Sequence, residues 1–132
     1  MVAYRFAEHG GEVELELEAE TVEGIFASAL EAFAELVSTD GGGAALERRI
    51  ELDGDDRALL LVDWLSELVY LAEVDRFVPD RIVAFELAGD HLRATVAGRR
   101  DQPLQLVKAV TLSSLELAQE GAVWHGRVVL DV

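Results

Sequence analysis

The chain has 132 residues, 51% of them hydrophobic, and no cysteine. That length makes one domain spanning 1–132 the expectation, with room for a core, and the missing cysteines exclude disulfides, thiolate metal sites and a cysteine nucleophile. Twenty-six acids against 11 bases leave a formal net charge of −15, which argues against direct nucleic-acid binding, because that affinity comes from neutralising phosphates.

Such acidity suits solubility, a basic protein partner, cation binding or a salty milieu. The opening MVAYRFAEHGG has neither a basic n-region nor an apolar h-region, so no signal peptide is expected. The apolar run ALLLV at 58–62 is far short of the roughly 18 residues a membrane span needs. The expected place is the cytoplasm, with no membrane contact.

In chain order, Tyr4–Phe6 is a short apolar start, and residues 7–11 read as a loop because Gly10-Gly11 frees the backbone. Residues 12–18 alternate strictly, with Glu12, Glu14, Glu16 and Glu18 on one parity and Val13, Leu15 and Leu17 on the other. That is the period of a half-buried strand. Thr21 is a plausible helix N-cap, and Val22, Ile25, Phe26, Ala29, Leu30, Phe33, Leu36 and Val37 form the apolar stripe of an amphipathic helix over 22–38. The segment 38-STDGGG-43 stops it. Residues 45–52 are expected as a strand, and one aspartate of 53-DGDD-56 caps a second helix over 57–77. That helix is apolar nearly all round, with a narrow polar stripe of Asp63, Ser66, Glu67 and Tyr70, which reads first as a solvated face. Pro79 fits its termination. Residues 81–87 and 92–98 have hairpin spacing about a turn at 89–91, residues 99–106 form a polar link, and 107–118 and 123–131 read as a last strand pair. The total of six or seven strands and two helices indicates an α+β fold in two layers, two helices packed on a mostly antiparallel sheet.

The chemistry-bearing motifs are sparse. No phosphate loop, nucleophile elbow or zinc-protease motif is present, and His9, His91 and His125 are scattered. Two features stand out. Lys108 is the only lysine against ten arginines, and its compact ammonium is something Arg does not imitate. The chain ends LDV. If the last strand pairs near residues 8–12, then Glu8, Glu12, Asp131 and the terminal carboxylate on Val132 converge. An all-oxygen cluster of that kind suits Ca²⁺, Mg²⁺ or Mn²⁺.

Three segments resemble the archease family: 60-LLVDWLSELVYL-71, 107-VKAVTLSSLEL-117 and 127-RVVLDV-132. Their order and spacing hold along the whole chain. The resemblance implies an archease-like fold and a non-enzymatic accessory protein that activates an RtcB-type RNA-splicing ligase, promoting its guanylylation and repeated turnover. It also implies a divalent metal held by an aspartate of an N-terminal DHTAD motif and by the Asp next to the C-terminus, with a required Lys in the VKAVT strand. Carried over by position, that motif falls on 8-EHGGE-12. Glu8 replaces its first Asp, Gly10-Gly11 its Thr-Ala, and Glu12 the metal-binding Asp. Asp131 and Lys108 match, whereas Leu112-Ser113 stands where the family has Tyr-His. A Glu is one methylene longer than Asp, by about 1.5 Å, against a tolerance of about 0.2 Å in metal–oxygen distance. The Gly-Gly loop is expected to absorb the difference by moving. The alternative is a diverged chaperone-like or adaptor module with another partner and no metal.

Overall fold

The structure, a computed structural model, describes residues 2–38 and 41–132. Seven strands and two helices follow one another as β1 (Val2–His9), β2 (Glu12–Ala19), α1 (Val22–Val37), β3 (Ala45–Asp53), α2 (Arg57–Val74), β4 (Phe77–Ala88), β5 (His91–Arg100), β6 (Ala109–Glu120) and β7 (Val123–Asp131). The α+β class and the antiparallel pairing are as expected. The strands divide into two sheets, in the orders β1-β2-β7-β6 and β3-β5-β4. Both helices touch both sheets: α1 lies on β1, β2 and β4, and α2 on β3, β4 and β6. Most of the buried side chains form one contiguous cluster.

Local chemistry sets the helix boundaries. Thr21 accepts a hydrogen bond from the Gly24 amide at 3.0 Å, and of the four residues 53–56 it is Asp56 that caps α2, accepting from the amides of Ala58 and Leu59. Each cap satisfies amides that the first turn leaves without partners. The second helix stops at Val74, three residues short of the expected end. Arg76 adopts a left-handed φ of 54°, which turns the chain out of the helix and sends Phe77, fully buried, into β4. Pro79 therefore does not mark the end of α2. It sits inside β4, an edge strand, at a register shift between Pro79 and Arg81, where a missing amide is tolerated. Other boundaries moved as well. The expected loop at 7–11 is strand as far as His9, β5 runs on to Arg100, and β6 starts at Ala109. Of the expected helix stop at 38–43, Thr39 and Asp40 lie outside the described residues.

The polar stripe of α2 faces outward, with Asp63, Ser66 and Tyr70 exposed. Opposite it, Trp64 joins three elements. Its Nε1–H donates to the Phe26 carbonyl of α1 at 3.0 Å, and its ring meets Phe26 and Phe85 edge-on with centroids 6.1 and 5.9 Å away. At the other side of α1, the Tyr4 hydroxyl donates to Glu35 at 2.9 Å. Burial, and then the Glu35 carboxylate, raise the Tyr4 phenol above its ordinary pKa. No helix among the described residues is long and apolar enough to cross a membrane.

Replacing Trp64 by Phe removes the indole hydrogen bond and part of a fully buried ring. Urea denaturation is expected to show a loss of about 1–3 kcal/mol with an unchanged m-value.

Candidate functional site

The alternation in β2 decides which way its side chains point. Val13, Leu15, Leu17 and Ala19 are buried, while Glu14, Glu16 and Glu18 are half-buried on the opposite face. Glu12 shares that outer face and is exposed. The chain reaches Glu12 through a tight two-residue hairpin in which His9 pairs with Glu12. Gly10 takes φ 59° at the first turn position, a place that favours glycine in such turns. The Glu12 amide closes the turn on the Gly10 carbonyl at 3.1 Å.

The other side of β2 pairs with β7, and there Glu12 stands directly opposite Asp131. Asp131 in turn pairs with Ala109 of β6. One row therefore crosses all four strands: His9, Glu12, Asp131, Ala109. Directly opposed residues of antiparallel strands project from the same face with Cβ atoms about 4.5–5.5 Å apart, so Glu12 and Asp131 are neighbours on the outer face. Backbone bonds fix the row at its end. The Lys108 amide donates to the Asp131 carbonyl at 2.7 Å, and the Val132 amide to the Gly11 carbonyl at 2.9 Å.

Two rows further along the same face, the residues are Arg5, Glu16, Arg127 and Glu116. Here charge alternates. Arg5 Nε donates to Glu16 at 2.7 Å, and Arg127 lies 3.8 Å from both Glu14 and Glu116. The Glu12–Asp131 row has no such compensation. Among the described residues neither carboxylate makes a side-chain hydrogen bond or ion pair, and neither does the Lys108 ammonium, exposed at the same end of the sheet. Opposed like charges destabilise a ladder.

The residues singled out from the sequence thus separate. Glu12 and Asp131 come together, and Lys108 is bonded through its backbone to Asp131. Glu8 pairs with Val13, on the parity of the buried side chains, and so does not share the face of the acidic row. Val132 continues the ladder past Asp131 through its amide. His9, not among the candidate ligands, lies in the row itself. The signal was present in the sequence, because a two-residue turn at Gly10-Gly11 pairs the residues on either side of it. His91 lies on the other sheet, with Nδ1 2.6 Å from Asp53, and His125 pairs with Glu18 three rows from Asp131.

Among the described residues no group of three or more His, Asp or Glu side chains is arranged to hold a metal ion. The row offers two carboxylates. Hard oxygen donors of that number fall short of the six to eight that Ca²⁺ prefers, but they fit a cation such as Mg²⁺, which takes one or two carboxylates and completes its shell with water and phosphate.

The archease protein family (MTH1598/TM1083) matches residues 4–132. A protein archease of Methanosarcina mazei is 33% identical over 98% of this chain and 95% of its own length. One of Methanothermobacter thermautotrophicus is 34% identical over 80% of each. The solution structure of Methanobacterium thermoautotrophicum protein 1598 superposes with a TM-score of 0.76, at 27% identity and 98% coverage of both chains. A crystal structure from Thermotoga maritima, of an archease described as a possible chaperone, shares the fold at 20% identity, with a TM-score of 0.71 over 96% of this chain and 94% of that one. With the family matched along almost its whole length and the fold shared, this chain belongs to the archease family.

Proposed function

We propose that this protein is a non-enzymatic activator of an RtcB-type RNA-splicing ligase, acting through the outer-face row of Glu12 and Asp131 with Lys108 beside it. The observation that carries the reading is the pairing of Glu12 with Asp131. It sets two uncompensated carboxylates side by side on a sheet face where Glu14, Glu16 and Glu116 are each matched by an arginine. Such a pair calls for a cation, and Glu12 and Asp131 would hold it. When bound, the cation supplies positive charge for phosphate oxygens.

The chain's own groups do the rest. The Lys108 amide bond to the Asp131 carbonyl fixes the backbone that presents the Asp131 carboxylate, so that group is positioned before any partner arrives. The Lys108 ammonium offers a compact positive charge to a phosphate of the ligase's nucleotide, which a planar guanidinium does not reproduce. The net charge of −15 steers the protein towards the basic surface of an enzyme that handles RNA, raising the encounter rate more than the affinity. The second reading, a chaperone-like adaptor, is supported by the description of the Thermotoga relative as a possible chaperone. It requires neither carboxylate.

The two readings separate in single-turnover guanylylation and multiple-turnover ligation by the cognate ligase, with GTP and Mn²⁺. Activation predicts stimulation by the wild type, its loss in Asp131→Ala, and poor rescue by Lys108→Arg. Stimulation that survives Asp131→Ala rejects the role of the row.

A second measurement needs no ligase. In low salt, Glu12→Gln relieves the repulsion and is expected to stabilise the protein by roughly 0.2–1 kcal/mol. Mn²⁺ at a hundred times its Kd is expected to stabilise the wild type by about 2.7 kcal/mol, and to leave the melting temperature of Asp131→Asn nearly unchanged.

A further inference from the structure

Lys108, the residue before β6, is flanked by leucines that the core does not use. Leu104 is 77% exposed, Leu106 52% and Leu112 61%. Of the seven large hydrophobic side chains exposed among the described residues, three fall between positions 104 and 112. In an acidic protein this is a local concentration of exposed apolar side chains along the chain, and apolar surface of that kind is what interaction sites use.

The segment is held in place. Pro103 and Val107 are buried on either side of Leu104 and Leu106, the Leu104 amide donates to the Val37 carbonyl at the end of α1, and the Lys108 amide to the Asp131 carbonyl. Leu112 opens a bulge in β6, where four residues, 112–115, stand against the single Val128 between the pairs Thr111–Val129 and Glu116–Arg127. Ser114 in that bulge has a left-handed φ of 59°, a conformation that residues other than Gly, Asn and Asp rarely adopt. The Ser113 amide donates to the Thr111 hydroxyl. The fold thus displays the leucines from a pinned backbone, so little ordering remains to be done when a partner covers them.

We infer that Leu104, Leu106 and Leu112 form the apolar anchor by which this protein docks on its ligase, against an apolar depression rimmed by Lys and Arg. This rests on the activator reading above. Lys108 and Asp131 lie within the same segment and its strand partner, so a protein that engages the acidic row covers the leucines as well. The surrounding acid excess selects a basic rim. The anchor supplies residence time and the row supplies activation, so each is separately removable.

The experiment titrates wild type, Leu106→Ser/Leu112→Ser, Val83→Ser and Asp131→Ala against purified ligase, reading direct binding by calorimetry and guanylylation in parallel. Val83, exposed on the other sheet, controls for general loss of apolar surface. The double leucine variant is expected to melt like the wild type, to bind at least ten-fold more weakly, and to reach full stimulation at raised concentration. Asp131→Ala is expected to bind normally and not stimulate. If the wild type stimulates and the double variant binds as tightly as it does, the anchor is overturned while the activator reading stands. If the wild type neither binds nor stimulates, both fall. Self-association of the wild type that the leucine changes abolish, with ligase binding intact, assigns the patch to a second copy of the chain and also overturns the inference.

Discussion

Everything distinctive about this molecule depends on one strand pairing. β2 is hydrogen-bonded to β7, so the second and the last strands of the chain lie side by side at the centre of the four-stranded sheet. That pairing buries Val13, Leu15 and Leu17 beside Val128 and Leu130. By the same period of two it directs Glu12 and Asp131 to the opposite face. Core and acidic row are two sides of one register, and neither can be changed without the other. The bonds from Lys108 to Asp131 and from Val132 to Gly11 lock that register at the end where the row stands.

Much of this was legible in the sequence. The alternation of 12–18, the cap at Thr21, the stripe of α1 and the late strand pair all follow from local chemistry, and the structure repeats them. The misses have a common origin in tertiary demands on short stretches. The apolar pattern of α2 continues to Phe77, but the core takes its ring from β4 instead. Pro79 has the pattern of a helix terminator, although an edge strand with a register shift accommodates it. The glycine pair favours a loop over residues 7–11, while a turn needs only two residues. For the site, parity placed Glu12 on the glutamate face, but only the fold shows that Asp131 stands opposite it and that Glu8 faces the other way. No local pattern carries the register between strands so far apart in sequence.

The tight hairpin also changes how the departures from the family motif are understood. A glycine pair by itself implies a loose loop that can shift to make room for a longer acid. Instead Glu12 is gripped by β1 on one side and β7 on the other, and its backbone has no slack. The extra methylene must be absorbed by the side chain's own torsions. At Gly10 the left-handed φ of 59° would strain a β-branched residue such as the Thr of the motif this segment resembles.

The register has a consequence for how the site can fail. A slip of one residue between β2 and β7 would turn Asp131 towards the core and Leu130 towards water, at a cost in buried area that the fold does not tolerate. A one-residue shift therefore removes the row rather than weakening it. The row exists in full when the ladder is complete and not otherwise. Because its two acids come from distant parts of the chain, joined only by tertiary pairing, the row also acts as a certificate of assembly. A polypeptide in which the last strand has not yet docked presents no paired carboxylates, and so remains silent towards any partner that reads them.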